Sequence, residues 1–309
     1  MNKNLINILI NFVLLYIFIF IFMYSSEIKT SILFAFDIWI NNLIPSMFPF
    51  LLISNLLINY GFLDILSFII GPFILKIYRL PKVCAYPIVA SIFTGFPTGS
   101  KYTKDLLDSN KISVDDANRL IMFTSFSNPL FIVSSVGETL LNNKKVGFFI
   151  FFTHLVSGLL IGLLYRPHSR ISAKDDFVKS RPKSFINVLT SSISDIFKIL
   201  INMLGIIIFF LIIITILNTF LDNNLFTIII KGIIEVTTGI TYLSSYDINL
   251  RIKASLIGFL LSFNGLSVHL QTKSIIMGTK IKYKKFFFAR ILHSLLCFSL
   301  IYVFYYLFC

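Results

Sequence analysis

The chain has 309 residues, 56% of them hydrophobic and 13% charged, with a mean hydropathy of +0.87. One globular core cannot bury that much apolar side chain, which excludes a soluble domain and makes lipid the solvent. The net charge of +13 lies at the ends of apolar runs rather than on a basic domain. This excludes nucleic acid as a partner and fits the enrichment of Lys and Arg in cytoplasmic loops.

Leu5 to Tyr24 is interrupted only by Asn7 and Asn11 and has the roughly 20 residues needed to cross hydrocarbon. Ser25-Ser26-Glu27 follows in place of a small-x-small cleavage site, so residues 1–30 are expected to be a retained signal anchor rather than a cleaved signal. Further apolar segments are expected at 31–58, 62–77, 83–96, 120–141, 146–165, 199–220, 225–245, 254–277 and 286–308. The fold class is therefore all-α and polytopic, with 8–10 membrane segments.

Arg166 to Lys183 holds six basic residues against two acidic ones, and marks a cytoplasmic linker at 166–187 between a first membrane half, 31–165, and a second, 188–309. Lys273 to Arg290 is basic without any acid and is expected on the same side. Between Lys101 and Arg119 charges balance, and Ser113 offers an N-cap to the helix that follows. Asp37-Ile38-Trp39 and Asp195-Ile196-Phe197 each head a long apolar run, and each run leads to a Gly-interrupted segment. That is the pattern of inverted-repeat transporters with broken or re-entrant helices.

Three motifs interrupt the apolar runs. In TGFPTGSK (94–101), Gly95, Pro97 and Gly99 make continuous helix improbable, and unladdered backbone survives at membrane depth only where protein or a water-filled cavity satisfies it. A helix restarting near Ser100 would aim free N–H groups and the Lys101 ammonium at one spot, a recipe for holding an anion. Alternatively, Lys101 reaches the headgroups from an interfacial turn. In SFSNPLFI (125–132), Asn128 and Pro129 read as an N-cap and first helical residue, and Ser125, Ser127 and Asn128 form a polar cluster that ligates a solute or simply caps. In SFNGLSVHLQTK (262–273), Asn264-Gly265 breaks the helix. Ser267, His269 and Gln271 follow at alternate positions, which share a face only in extended chain. His269 is either a solute ligand or proton relay, or a satisfied structural histidine.

The remaining polar groups carry blander expectations. His154 and His293 read as helix-packing hydrogen bonders. Glu138, Asp195 and Glu235 are expected at interfaces, because a carboxylate at the bilayer centre costs about 2.5–3.5 kcal/mol on insertion scales. Cys84, Cys297 and Cys309 have neither disulfide nor metal-ligand spacing, and no metal or cofactor is expected. No H-E-x-x-H or Walker A pattern occurs, so an enzyme is not expected.

LIPSMFPF (43–50), TGFPTGSK, FSNPLFIVSSVG (126–137), His154, NGLSVHLQ (264–271) and ARILHS (289–294), in that order, resemble the sporulation integral membrane proteins of the YlbJ type, within the wider Gate or nucleoside-recognition group. The resemblance spans Trp39 to the final helix. Thr94 and Ser100 depart from the Ser and Ala usual at those positions. The resemblance implies two Gate-type repeats, a bacterial membrane location during endospore formation, and a role connected with loading dipicolinate into the forespore.

The expected function is a permease for a small polar or anionic solute, with a scaffold for spore-envelope assembly or a nucleoside transporter as alternatives. Its solute site is expected at Gly95, Pro97, Gly99, Ser100, Lys101, Ser127, Asn128, Pro129, Asn264, Gly265, Ser267, His269 and Gln271. Expected partners are the bilayer and the solute; a coupling H+ or Na+, a second copy of the chain and other sporulation membrane proteins stay open.

Overall fold

The computed structural model describes residues 3–165 and 184–308, which are almost entirely helical, without strands among the described residues. Residues 166–183 of the expected linker lie outside the described residues, and its last residues, from Phe185, already belong to the next helix.

Helix α1 (Lys3–Met23) ends where Tyr24 leaves helical geometry at φ −119° and ψ 42°, and the chain turns into α2 (Ser25–Ile38). The bend is 99°, so the expected anchor and the segment after it make at most one span together. A π-helical turn, Trp39–Leu43, leads into α3 (Ile44–Asn59), which carries Pro49 within it. The expected segment 62–77 is two eight-residue helices, α4 (Phe62–Ile69) and α5 (Gly71–Tyr78), because Gly71-Pro72 forces a new start.

The first broken element is a hairpin of α6 (Ala85–Thr94) and α7 (Thr98–Asp108). Then α8 (Val114–Leu120) starts on a Ser113/Asp116 capping box, and the chain unwinds through 121–128. It re-coils at Pro129 into the π-helical segment Phe131–Leu140. Helix α9 (Lys144–Leu164), capped by Asn143, closes the first half.

The elements from Phe185 on are fewer and longer. Long helix α10 (Phe185–Asn218) leads to a hairpin of α11 (Leu225–Ile234) and α12 (Val236–Ser245), then to a broken pair, α13 (Leu250–Phe263) and α14 (Gly265–Ile276), then to α15 (Tyr283–Phe308). Among the described residues, four helical stretches are long and apolar enough to cross a membrane: α9, α10, α13 with α14, and α15; the bent α1–α2 pair raises the number to five where it is counted as one span. Most of the other expected segments are helices of 16 residues or fewer, too short to cross alone.

The two hairpins enter from opposite ends of α15. At its start, the Lys282 amide donates to Asn118 Oδ1 at 2.7 Å, and Arg119 bonds the carbonyls of Tyr78 and Arg79. There Cys84, Ala85, Leu106, Ala117 and Phe286 share one apolar core. Toward the other end, Arg251 Nε donates to the Tyr302 carbonyl and Lys253 to that of Ser244, over a core of Ile228, Val236, Leu243, Ile301 and Tyr305. The hairpin tips therefore meet between two apolar lobes.

Candidate functional site

Gly95 begins the first break at φ 80°, a left-handed backbone that a side chain resists, and a Cβ there would stand 2.8 Å from the Asn128 amide. Gly99, inside α7, lies against the Thr124 carbonyl so closely that any Cβ would collide with it. These two contacts press the first hairpin against the unwound 121–128 segment. The Phe96 amide donates to the Phe126 carbonyl at 2.7 Å, and Asn128 Nδ2 to that of Phe93 at 3.1 Å.

Asn128 also caps as expected, its Oδ1 accepting from the Leu130 amide at 2.8 Å and Phe131 at 3.4 Å. The Ser127 amide donates to His154 Nε2 at 3.0 Å, while Ser127 Oγ is buried without a partner among the described residues. Arg290, 1% exposed, donates to the carbonyls of Met122 and Ser125 and bonds His293 Nδ1 at 2.8 Å. His293 Nε2 in turn reaches the His154 carbonyl and Ser157 Oγ, and the two imidazoles stack at 4.9 Å. The histidines are packing groups as expected, and with Arg290 they satisfy unwound backbone inside the protein, which is where such backbone is tolerated.

Asn264 breaks the fourth element at φ 77°, its Nδ2 donating to Ser125 Oγ at 2.6 Å while Oδ1 has no partner among the described residues. Because α14 is helical, Ser267, His269 and Gln271 do not share a face. Ser267 and Gln271, four apart, line a cavity; His269 points away, bonded to Tyr283 OH and the Phe263 carbonyl, both at 2.9 Å. The second hairpin breaks at Glu235. It is 2% exposed, and its Oε2 accepts from Thr237 Oγ1 at 2.5 Å and the Thr238 amide at 2.8 Å. Glu138 and Asp195 are exposed and pair with Lys144 and Lys198.

All four breaks thus converge on one cavity of about 30 Å³. Its lining is mostly apolar, from Leu43, Met47, Phe131, Met203, Ile207 and Val268, with Thr94, Asn128, Glu235, Thr237, Ser267 and Gln271 as the polar side chains on one wall. Beyond Thr237, a hydroxyl-rich cavity of about 270 Å³ includes Ser31, Thr215, Thr238, Thr241 and Tyr242. Of the expected site residues, Gly95, Asn128, Ser267 and Gln271 line the central cavity. Pro97, Gly99, Ser100, Ser127, Pro129, Asn264 and Gly265 build the breaks around it without lining it. Lys101 stands apart, its ammonium 5.5 Å from the Tyr102 ring centroid. Expectation missed Glu235, Thr237 and Arg290.

Residues 40–141 match the family described as Gate, nucleoside recognition. The chain is 29% identical over 296 residues to the sporulation integral membrane protein YlbJ of Bacillus subtilis strain 168, covering 84% of this chain and 72% of that protein. No solved structure matches. The chain is thus similar, over most of its length, to a sporulation integral membrane protein, YlbJ, and its residues 40–141 match the Gate family.

Proposed function

We propose that the chain is a permease for a small polar solute, with dipicolinate as the substrate and the two halves acting as inverted repeats. The observation that carries this is the convergence of four helix breaks on one cavity, with unpartnered acceptors beside it. Broken helices meeting between two halves are the construction that secondary transporters use to bind solute at the midplane. Hairpins entering from opposite ends give each side of the membrane its own movable barrier.

A cavity of about 30 Å³ holds roughly one water, so a pyridine dicarboxylate enters only after a hairpin moves away from Met47, Met203 and Ile207. The same small volume favours a second reading, a scaffold whose breaks serve folding alone. Uptake of labelled dipicolinate into proteoliposomes, with nucleosides as competitors, separates the two. A permease gives saturable uptake that falls on Asn264→Ala. Absence of uptake under every imposed ion gradient overturns the permease and leaves the scaffold, and displacement by nucleosides reassigns the substrate.

A further inference from the structure

Glu235 is a buried carboxylate without a counter-charge. Its Oε2 is held by Thr237 and Thr238, and Oε1 accepts no hydrogen bond among the described residues. Among the described residues, no Lys, Arg or His lines the cavity it faces. Gln271, 5% exposed and on the same wall, leaves Oε1 without a partner among the described residues. The charged groups on neighbouring elements are engaged elsewhere or lie off the wall. On α11, Lys231 donates to Asn223 Oδ1; on α10, Lys198 and Asp195 pair; beside α12, Glu138 pairs with Lys144. On α13, Arg251 and Lys253 hold carbonyls; on α14, His269 is bonded at both nitrogens and Lys273 faces the Tyr283 ring. Arg290 lies behind the unwound segment and is spent on its carbonyls.

One oxygen of Glu235 takes the cap bonds and the other accepts none among the described residues, so a cation can join it at the cavity without displacing them. An anionic solute brought to the same wall would meet repulsion. We infer that Glu235 is the group at which the permease loads a monovalent cation, a proton or a sodium ion, and that an anionic solute binds only after that charge has arrived. A proton on Oε1 neutralises the wall. A sodium ion there would draw on neutral oxygens of the same wall, such as Gln271 Oε1 and Thr237 Oγ1, as hard cations prefer. This deepens the permease assignment and rests on it for the coupling, but cation binding is measurable without transport.

The test uses full-length purified protein and its single tryptophan. Trp39 donates to the Leu200 carbonyl at 2.8 Å, one turn from the cavity wall at Met203. Trp39 fluorescence and melting temperature are followed while NaCl replaces choline chloride at fixed pH, and separately from mildly acid to neutral pH in choline. Glu235→Gln, which keeps an acceptor for the Thr238 amide, is compared with wild type. A sodium-dependent rise in melting temperature lost in Glu235→Gln assigns sodium; a pH dependence lost in the variant, without a sodium effect, assigns the proton. Wild type insensitive to both, or a variant that responds as wild type does, overturns the inference, and the first outcome needs no variant to fold. Dipicolinate uptake with no cation dependence would sink the inference and leave the permease standing. Cation binding without uptake would do the reverse.

Discussion

The crossing of α7 over the unwound segment is the tightest joint around the cavity, and Gly99→Ala tests it. The added Cβ would run into the Thr124 carbonyl oxygen, with the carbonyl carbon 2.8 Å and the Thr124 Cβ 2.9 Å away. A backbone oxygen cannot escape by changing rotamer, so the cost belongs at or above the top of the ~1–3 kcal/mol range for overpacking. At roughly 2 °C per kcal/mol for a large domain, melting falls by about 6 °C or more. The displaced α7 would also carry Gly95 and Phe96 away from Asn128 and Phe126, so solute uptake falls with stability. Gly205→Ala on α10 is the control, because nothing lies within 4 Å of its Cβ position, and the better helix former gains about 1 kcal/mol. Thermal unfolding in detergent reads both variants. An unchanged melting temperature for Gly99→Ala would refute the close crossing.

Arg290→Met leaves the Met122 and Ser125 carbonyls without their donor; at about 1–3 kcal/mol per buried orphan, stability drops by roughly 2–6 kcal/mol in a melting assay. Arg290→Lys does not restore it, because a point ammonium replaces a fork that spans two carbonyls. Asn264→Ala forfeits the Ser125 bond and also forces a left-handed alanine, whereas Asn264→Gly forfeits only the bond, so the glycine variant melts higher by about 1–2 kcal/mol of stability. His269→Phe lowers melting while the KM for solute uptake holds, since its two bonds lie off the cavity. Lys101→Ala keeps most of the uptake, its ammonium lying over Tyr102 rather than on the wall.

Three of the four breaks were legible because each carries a residue that helix rejects: Gly95 with Pro97, Asn128 with Pro129, and Asn264 with Gly265. The fourth was not, because Leu225 to Ser245 has the length and apolar content of one span and contains no proline. Its available signal was subtler, a Glu followed three residues later by a Thr amide it caps, after the β-branched Ile233-Ile234. Apolar length alone does not separate spans from shorter apolar helices, of which the described residues hold both. Arg290 was hidden by its neighbours: beside Lys280 to Lys285 it reads as one more basic residue of a loop, and only the packing of α15 on the unwound segment turns it inward. The alternate spacing of Ser267, His269 and Gln271 misled because three-residue alternation is a strand argument, and α14 is a helix.

The breaks differ in what satisfies them, and on the proposed permease reading that difference decides which part moves. The unwound segment is tied to α9 and α15: His154 takes the Ser127 amide, and Arg290 donates to the carbonyls of Met122 and Ser125. Those helices flank α13, whose Ser262 holds the other nitrogen of His154 at 2.8 Å. The first hairpin adds the Phe96–Phe126 and Asn128–Phe93 bonds across its tip. The second caps itself through Glu235 and meets the flanking long helix through apolar Met203 and Ile207. On the proposed permease reading the second hairpin is the part that moves, because its tip meets the long helix through apolar side chains and caps its own break. The energetic cost of opening therefore falls mainly on apolar contacts at the hairpin tip, which lipid-like or solute surfaces can replace, rather than on hydrogen bonds, which they cannot.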